Sequence, residues 1–150
     1  MRALVLERFG SPQQAFSLKE LPSPEPKAGE IRVNVRWSGL NYADIQARTG
    51  MYEDCPPPPC ILGYEALGTV DTPGDGFSPG DPVLAFTRFG GYASQVVVPA
   101  QNLVKLPADL FQPASTALAT QFATAWYCAE EVTRLHPKDN VLIHAAAGGV

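Results

Sequence analysis

The sequence lacks any long apolar segment, which argues against a membrane-spanning helix. No apolar run in its 150 residues approaches the roughly 18 residues that such a helix needs. The N-terminal residues 1–7, MRALVLE, do not form a secretory signal, because their apolar stretch is too short and is followed at once by the charged Glu7. We therefore expect a cytoplasmic protein without a membrane span.

Positive charge and cysteine are also scarce. The chain has 11 lysine and arginine residues against 15 aspartates and glutamates, so it offers no basic surface for nucleic acid. Its three cysteines are an odd number, which argues against a disulfide framework. Cys55 and Cys60 flank four prolines, but structural zinc needs about four ligands, and no second pair of Cys or His residues lies near them.

What the sequence does contain is a series of short strand patterns. β-branched or alternating stretches are separated by turn residues, as in PGDG at 73–76 and SPGD at 78–81. Many short strands with frequent turns are typical of a barrel or a sandwich. The predicted strands cover residues 2–7, 16–21, 30–37, 63–71, 82–86, 91–98 and 103–106.

Two helices are predicted as well. The first covers residues 42–48, begins beside Asn41 as a possible N-cap, and ends at Gly50. The second covers residues 113–135, and His136-Pro137 prevents its continuation. Its apolar residues recur at helical spacing at Leu118, Phe122, Ala125 and Ala129.

The last ten residues, VLIHAAAGGV at 141–150, have the pattern of a buried strand that runs into a glycine turn. A βαβ dinucleotide-binding unit begins in this way, because the tight turn lets backbone N–H groups approach a pyrophosphate. The closing glycine of the motif is missing, so a plain strand-to-turn ending remains the alternative.

Six segments, in order along the chain, resemble the medium-chain dehydrogenase/reductase superfamily. Within it, the chain is most similar to the zinc-independent quinone oxidoreductase branch, which includes zeta-crystallin and the vesicle-amine-transport-protein homologues. The segments are GLNYAD at 39–44, GMY at 50–52, LGYEALGTV at 62–70, GDPV at 80–83, GGYA at 90–93 and HAAAGGV at 144–150.

The resemblance implies a mainly β fold: a GroES-like β-barrel with short helices, one long helix and the first strand of an incomplete Rossmann α/β domain. We expect the barrel, which is the catalytic domain, in residues 1–112. A connecting helix is expected in 113–136, and the start of a truncated nucleotide-binding domain in 137–150. In the family, NADPH lies in the cleft between the two domains.

The same resemblance predicts that no zinc is bound. Asn41 stands where zinc alcohol dehydrogenases have a catalytic Cys, and Tyr64 stands where they have a His. An amide and a phenol are poor zinc ligands, and Glu65 alone does not make a site.

Asn41 and Tyr52 are the candidate catalytic residues. The resemblance places the Asn41 amide against the nicotinamide, whereas its position before a helix favours a capping role. Tyr52 matches a family tyrosine near the nicotinamide, with a half-buried loop aromatic as the alternative. Tyr42 and Tyr64 are candidates for the acceptor pocket, although they could simply pack against the barrel.

The candidate cofactor contacts lie near the C-terminus. Thr124 matches a family threonine close to the cofactor, but its hydroxyl could instead bond back to its own helical turn. The glycine turn contributes Ala147, Gly148, Gly149 and Val150.

The resemblance implies an oxidoreductase that reduces quinones, enones or related activated double bonds with NADPH or NADH. The carbonyl or quinone acceptor and the choice of cofactor stay open. We expect these 150 residues alone to be inactive, to hold no cofactor and to form homo-oligomers. The alternatives are a binding module that retains the barrel without turnover, and an enoyl-reductase domain of a multidomain synthase.

Overall fold

The computed structural model describes all 150 residues and contains two antiparallel sheets. The strands are β1 Arg2–Leu6, β2 Phe16–Glu20, β3 Glu30–Ser38, β4 Cys60–Ile61, β5 Glu65–Val70, β6 Pro82–Phe86, β7 Gln95–Pro99 and β8 Leu103–Lys105. The α-helices are α1 Pro12–Ala15, α2 Tyr42–Thr49 and α3 Thr120–Tyr127. Short 3₁₀ segments cover Ala100–Asn102, Ala108–Leu110 and Pro113–Leu118, and a π-helical turn covers Cys128–Val132.

The larger sheet has the strand order β7-β3-β5-β6-β8, and the smaller has the order β2-β1-β4. A bridge between Ala3 on β1 and Ala93, just before β7, joins the two sheets. The sheets therefore curl into a half-barrel, and the mainly β, GroES-like fold predicted from the sequence is confirmed.

The barrel interior is filled by inward-facing aliphatic side chains of the larger sheet. Ile31 and Val33 alternate with polar residues along β3 and are fully buried, as period-two side-chain geometry requires. Burial of each such side chain stabilises the fold by about 1.5–3 kcal/mol. A second cluster, formed by Leu6, Ala15, Ala47 and Leu62, packs α2 against the smaller sheet.

Helix α2 follows its sequence signals closely. It begins after Asn41, which has extended backbone angles, and it ends at Gly50, whose φ of 78° lies in the left-handed region. Glycine adopts this conformation without the steric cost that a Cβ would bring. The predicted helix is therefore confirmed and is one residue longer than expected.

The C-terminal helix differs from the prediction in its regularity. The segment 113–132 is helical, but it changes from 3₁₀ to α and then to π geometry. Ala119, with a ψ of −87°, separates the first two parts. Most of its apolar side chains are exposed, so packing does not impose a single helical geometry on them. None of the helices has the length and apolar character needed to cross a bilayer.

The strand predicted within 137–150 is not formed. Residues 141–143 have no regular secondary structure, and residues 144–147 form a turn. A strand is stable only with a hydrogen-bonded neighbour, and no other strand lies beside this segment. Two short elements that the sequence analysis missed, α1 and β4, have too few residues to show a periodic pattern.

Candidate functional site

The site is centred on a contact between the start of α2 and the start of β5. The Asn41 side-chain amide donates a hydrogen bond from Nδ2 to Oε1 of Glu65 at 2.8 Å. Glu65 is the first residue of β5 and is completely buried. The backbone of Asn41 is fixed because this residue is the N-cap of α2. Its hydrogen bond to Glu65 then fixes the orientation of the side-chain amide.

The other carboxylate oxygen of Glu65 accepts a hydrogen bond from the hydroxyl of Thr120, the first residue of α3. Glu65 forms no ion pair, so two neutral donors solvate its buried carboxyl group. Removal of a carboxylate from water is costly unless such partners are present. The cluster of Asn41, Glu65 and Thr120 thus ties α2, β5 and α3 together.

Gly39 makes room for this cluster. A Cβ on Gly39 would lie only 1.7 Å from Oε1 of Glu65 and 2.7 Å from its carboxyl carbon. Such contacts are impossible between non-bonded atoms, so any side chain at this position would displace the carboxylate. The absence of a side chain at position 39 is therefore part of the site.

A second buried carboxylate, Asp44, lies on the first turn of α2. Its Oδ2 accepts from the backbone N–H of Asn41 at 2.9 Å, and its Oδ1 accepts from the backbone N–H of Gly63 at 3.2 Å. Asp44 thus anchors the helix start to the loop before β5. Burial raises the pKa of the nearby Tyr92 hydroxyl, and the charge of Asp44 raises it further.

The aromatic rings of Tyr52 and Tyr64 contact each other. Their rings meet edge to face with centroids 6.0 Å apart, and the ring centroid of Phe89 lies 5.5 Å from that of Tyr64. Burial raises the pKa of the Tyr64 hydroxyl, and the adjacent Tyr52 adds to this effect. The Tyr64 hydroxyl is buried without a hydrogen-bond partner.

Tyr42 lies apart from these two rings, and its side chain is largely exposed. With Asn41, it lines an open groove of about 550 Å³, whose walls also include Leu4, Phe16 and Leu40. The candidate residues therefore lie in two separate places, with Asn41 and Tyr42 on the groove and Tyr52 and Tyr64 in an aromatic cluster.

The predicted cofactor contacts do not form a phosphate cradle in this chain. The Thr124 hydroxyl donates to the backbone carbonyl of Thr120 at 2.6 Å, which is the bond back to its own helix that the sequence left open. The backbone N–H of Gly148 donates to the carbonyl of Ala145 within the terminal turn. Gly149 lies beside the Gln121 side chain, and Ala147 and Val150 are exposed.

The donor groups at the site do not suit a catalytic metal. No group of three or more His, Cys, Asp or Glu side chains is placed to hold a metal ion. Asn41 and Tyr64 contribute an amide and a phenol, which zinc binds poorly.

Sequence analysis did not identify Asp44, Thr120 or Gly39 as parts of the site. The spacing of Asn41 and Asp44 is that of a capping box, which could have indicated Asp44. Thr120 contacts Glu65 across 55 residues of sequence, and no local pattern predicts such a contact.

The curled antiparallel half-barrel with its short helices is the fold of a GroES-like domain. The sequence profile of the alcohol dehydrogenase GroES-like domain matches residues 27–108, more than half of the chain. The chain belongs to this family, as the N-terminal domain of a medium-chain dehydrogenase/reductase, and the resemblance predicted from the sequence is confirmed.

Named relatives support this placement. Human synaptic vesicle membrane protein VAT-1 homolog-like is 35% identical over the whole chain, which spans 36% of that protein. Its crystal structure superposes with a TM-score of 0.84 at 34% identity, over 90% of this chain and 44% of the relative. A probable quinone oxidoreductase of Schizosaccharomyces pombe is 38% identical over 88% of this chain and 40% of the relative.

A quinone oxidoreductase from Thermus thermophilus, whose structure was also determined with NADPH, matches with a TM-score of 0.73 at 36% identity. This match covers 85% of the present chain and 39% of the relative. The chain thus spans less than half the length of these relatives.

Proposed function

We propose that the chain is the acceptor-binding barrel of a zinc-independent NAD(P)H oxidoreductase that reduces quinones, enones or related activated double bonds. The observation that carries this proposal is the Asn41 amide, held at the edge of an open groove by the buried Glu65. The relationship to quinone oxidoreductases supports the same reaction class.

The amide is suited to bind a carbonyl oxygen. One N–H of Asn41 donates to Glu65, and the other has no protein acceptor. A neutral donor that is already oriented needs no reorganisation when negative charge develops on the acceptor oxygen. The role of Glu65 is to position the amide, because a carboxylate would not itself stabilise that charge.

The nicotinamide cofactor would supply the hydride. Thr124 and residues 147–150 are proposed to lie near it, but they form no cradle for its phosphates in this chain. We expect those contacts to be completed in a protein of the relatives' full length, and these 150 residues alone to bind NADPH weakly.

The proposal is tested with the full-length protein. Consumption of NADPH and of NADH is followed with 1,4-benzoquinone, with cyclohexenone and with cyclohexanone, the saturated analogue of the enone. We expect turnover of the quinone or the enone and none of the saturated ketone. An absence of turnover with all three, in a protein that binds NADPH, would favour the non-catalytic binding module instead.

A further inference from the structure

The groove at Asn41 continues into a second groove, which lies between β1, β2 and the end of β3. The second groove has a volume of about 320 Å³. Leu4 and Tyr92 line both grooves, so the two grooves meet at these side chains. A long ligand that is bound by the Asn41 amide can therefore extend from the first groove into the second.

The second groove is lined by positive charge only. Arg2 and Arg36 belong to its lining, and no aspartate or glutamate does, although acidic residues outnumber basic ones by 15 to 11 in the chain. Glu20 lies opposite Arg2 in the register of β1 and β2, but it is outside the groove lining and forms no ion pair. The groove therefore attracts a negatively charged group.

Both guanidinium groups are free to bind such a group. Neither Arg2 nor Arg36 forms an ion pair, and neither side chain donates a hydrogen bond within the chain. A guanidinium group carries five N–H donors in a planar fork that matches the oxygens of a carboxylate or a phosphate. Two unpaired forks in one groove can thus supply several charge-assisted hydrogen bonds to one anionic group.

The position of Arg36 is set by its aromatic neighbour. The guanidinium carbon of Arg36 lies 4.7 Å from the centroid of the Trp37 ring, and the Trp37 ring meets Phe111 edge to face at 5.4 Å. Stacking occupies the face of the guanidinium group and leaves its N–H edge free. Arg36 also lies at the bulge of β3, between Val35 and Trp37, and bulges redirect side chains.

The position of Arg2 is set by its backbone. The Arg2 N–H donates to the Ser94 hydroxyl at 2.9 Å, and the Ser94 N–H donates to the Arg2 carbonyl at 2.8 Å. Arg2 belongs to the smaller sheet and Arg36 to the larger, so the curl of the barrel is what brings the two side chains to one groove.

The surface between the amide and the arginines is apolar. Leu4 and Leu18 lie on the second groove and are 36% and 70% exposed. Five residue steps separate Arg36 from Asn41, so their Cα atoms are at most about 18 Å apart. The ligand that fits both grooves has a carbonyl group at one end, an aliphatic chain in the middle and an anionic group at the other end.

We propose that the acceptor is an enone or quinone with a terminal anionic group, a carboxylate or a phosphate, on an apolar chain. Arg2 and Arg36 bind the anionic group while the Asn41 amide binds the carbonyl oxygen. This inference rests on the proposed function, because the acceptor groove is the site of that reaction. The two arginines determine specificity and do not touch the reacting atoms.

The test compares three enones of equal chain length in the full-length protein: 10-oxoundec-8-enoate, its methyl ester, and 10-oxoundec-8-enyl phosphate. We expect kcat/KM with NADPH to be at least about fivefold higher for an anionic enone than for the ester, because exposed ion pairs contribute modestly. The difference should arise mainly in KM and should shrink at high salt. The anion with the higher kcat/KM identifies the terminal group as carboxylate or phosphate.

Matched variants assign this preference to the two arginines. The double variant Arg2→Gln, Arg36→Gln should lose the preference while turnover of cyclohexenone stays unchanged, and the corresponding double lysine variant should retain part of it. Lys27→Gln with Arg134→Gln removes the same charge from exposed residues that form no ion pair, and it should keep the preference. Equal kcat/KM for the anionic enones and the ester, or a preference that survives in the double glutamine variant, would overturn the proposal.

Binding measured by calorimetry without cofactor separates this inference from the proposed function. Tighter binding of an anionic enone than of the ester, lost in the Arg2→Gln, Arg36→Gln protein, would support the anion site even if no enone were reduced, and the proposed reaction alone would then fail. Turnover of cyclohexenone without any preference for the anionic enones, in binding or in kcat/KM, would overturn the anion site and leave the proposed function intact.

Discussion

Asn41 and Glu65 share a hydrogen bond of 2.8 Å although 24 residues separate them in the sequence. Because Glu65 is buried and also accepts from Thr120, its carboxyl group holds the start of α2 against β5 and α3. At the helix start, Asn41 and Asp44 form a capping box, in which the Asp44 carboxylate accepts from the Asn41 backbone N–H. A cap uses the side-chain oxygen of Asn41, so the second N–H of its amide remains available as a donor.

Replacement of this amide should reduce turnover in the full-length protein. For Asn41→Ala, we expect the loss of an oriented donor to cost on the order of 2–4 kcal/mol of transition-state stabilisation, seen as lower kcat/KM with an enone or quinone. Stability should fall by about 1–3 kcal/mol, because the buried Glu65 loses one of its donors.

Two control variants show whether the lower kcat/KM of Asn41→Ala comes from the missing donor or from lower stability. Thr120→Val removes the other donor to Glu65 and leaves the Asn41 side chain intact. It should lower stability with a much smaller effect on kcat/KM. Asn140→Ala, at an exposed position whose side chain forms no hydrogen bond, should change neither property greatly. An Asn41→Ala protein that melts earlier but turns over normally would contradict the role of the amide and make Tyr52 the next residue to test.

Gly39→Ala should destabilise the fold through the same cluster. The added Cβ would displace the Glu65 carboxyl group, and strain of this kind costs about 1–3 kcal/mol. Gly74→Ala is a suitable control, because its Cβ would meet only ordinary contacts with Ile31 at 3.7 Å or more. Urea midpoints of the two variants provide the comparison. Equal midpoints would show that the Glu65 carboxyl group can move aside without loss of stability, which would contradict the prediction.

The ion pair between Arg32 and Asp71 should make stability depend on acid pH. Hydrogen bonding from Arg32 and then from Asn34 holds the pKa of Asp71 below its ordinary value of 3.8. Since this pKa is lowered on folding, the stabilisation is present above pH 3.8. It is lost as the pH falls through the folded-state pKa.

Urea unfolding at a series of pH values measures this effect. Asp71→Asn should be less stable than the parent protein at neutral pH, and the difference should shrink in acid. Asp109→Asn serves as the control, because Asp109 forms no ion pair and no side-chain hydrogen bond. A pH-independent difference for Asp71→Asn would contradict the assignment.

The purified protein should contain no stoichiometric zinc. The family resemblance predicts Asn41 and Tyr64 at the positions of two zinc ligands, and neither an amide nor a phenol is a good zinc donor. Elemental analysis after dialysis without a chelator provides the measurement. One zinc per chain would require a different ligand set, with Glu65, Cys55 and Cys60 as the first candidates.

The C-terminal segment should drive self-association of these 150 residues. Phe122 and Leu142 are 60% and 82% exposed, and exposed apolar patches of this kind mark interaction surfaces. Sedimentation velocity should show oligomers that the double substitution Phe122→Ser and Leu142→Ser weakens. Leu18→Ser, at a similarly exposed position on β2, should leave association unchanged. A monomer at high concentration would contradict the prediction.

Local sequence was sufficient for most of the secondary structure. Helix α2 was predictable from Asn41 to Gly50, because capping and left-handed termination depend on adjacent residues. The main strands of the larger sheet were predictable from alternation, since period-two burial is visible within one strand. The family resemblance also predicts Asn41 and Tyr64 in place of two metal ligands, and this stays a prediction.

The tertiary structure decided which of these residues act together. Glu65 meets Asn41 across 24 residues of sequence and Thr120 across 55. The predicted strand at 141–143 did not form, because a strand depends on a partner elsewhere in the chain. Local patterns determine backbone conformation, whereas burial and long-range hydrogen bonds determine the site, and these exist only once distant segments have packed together.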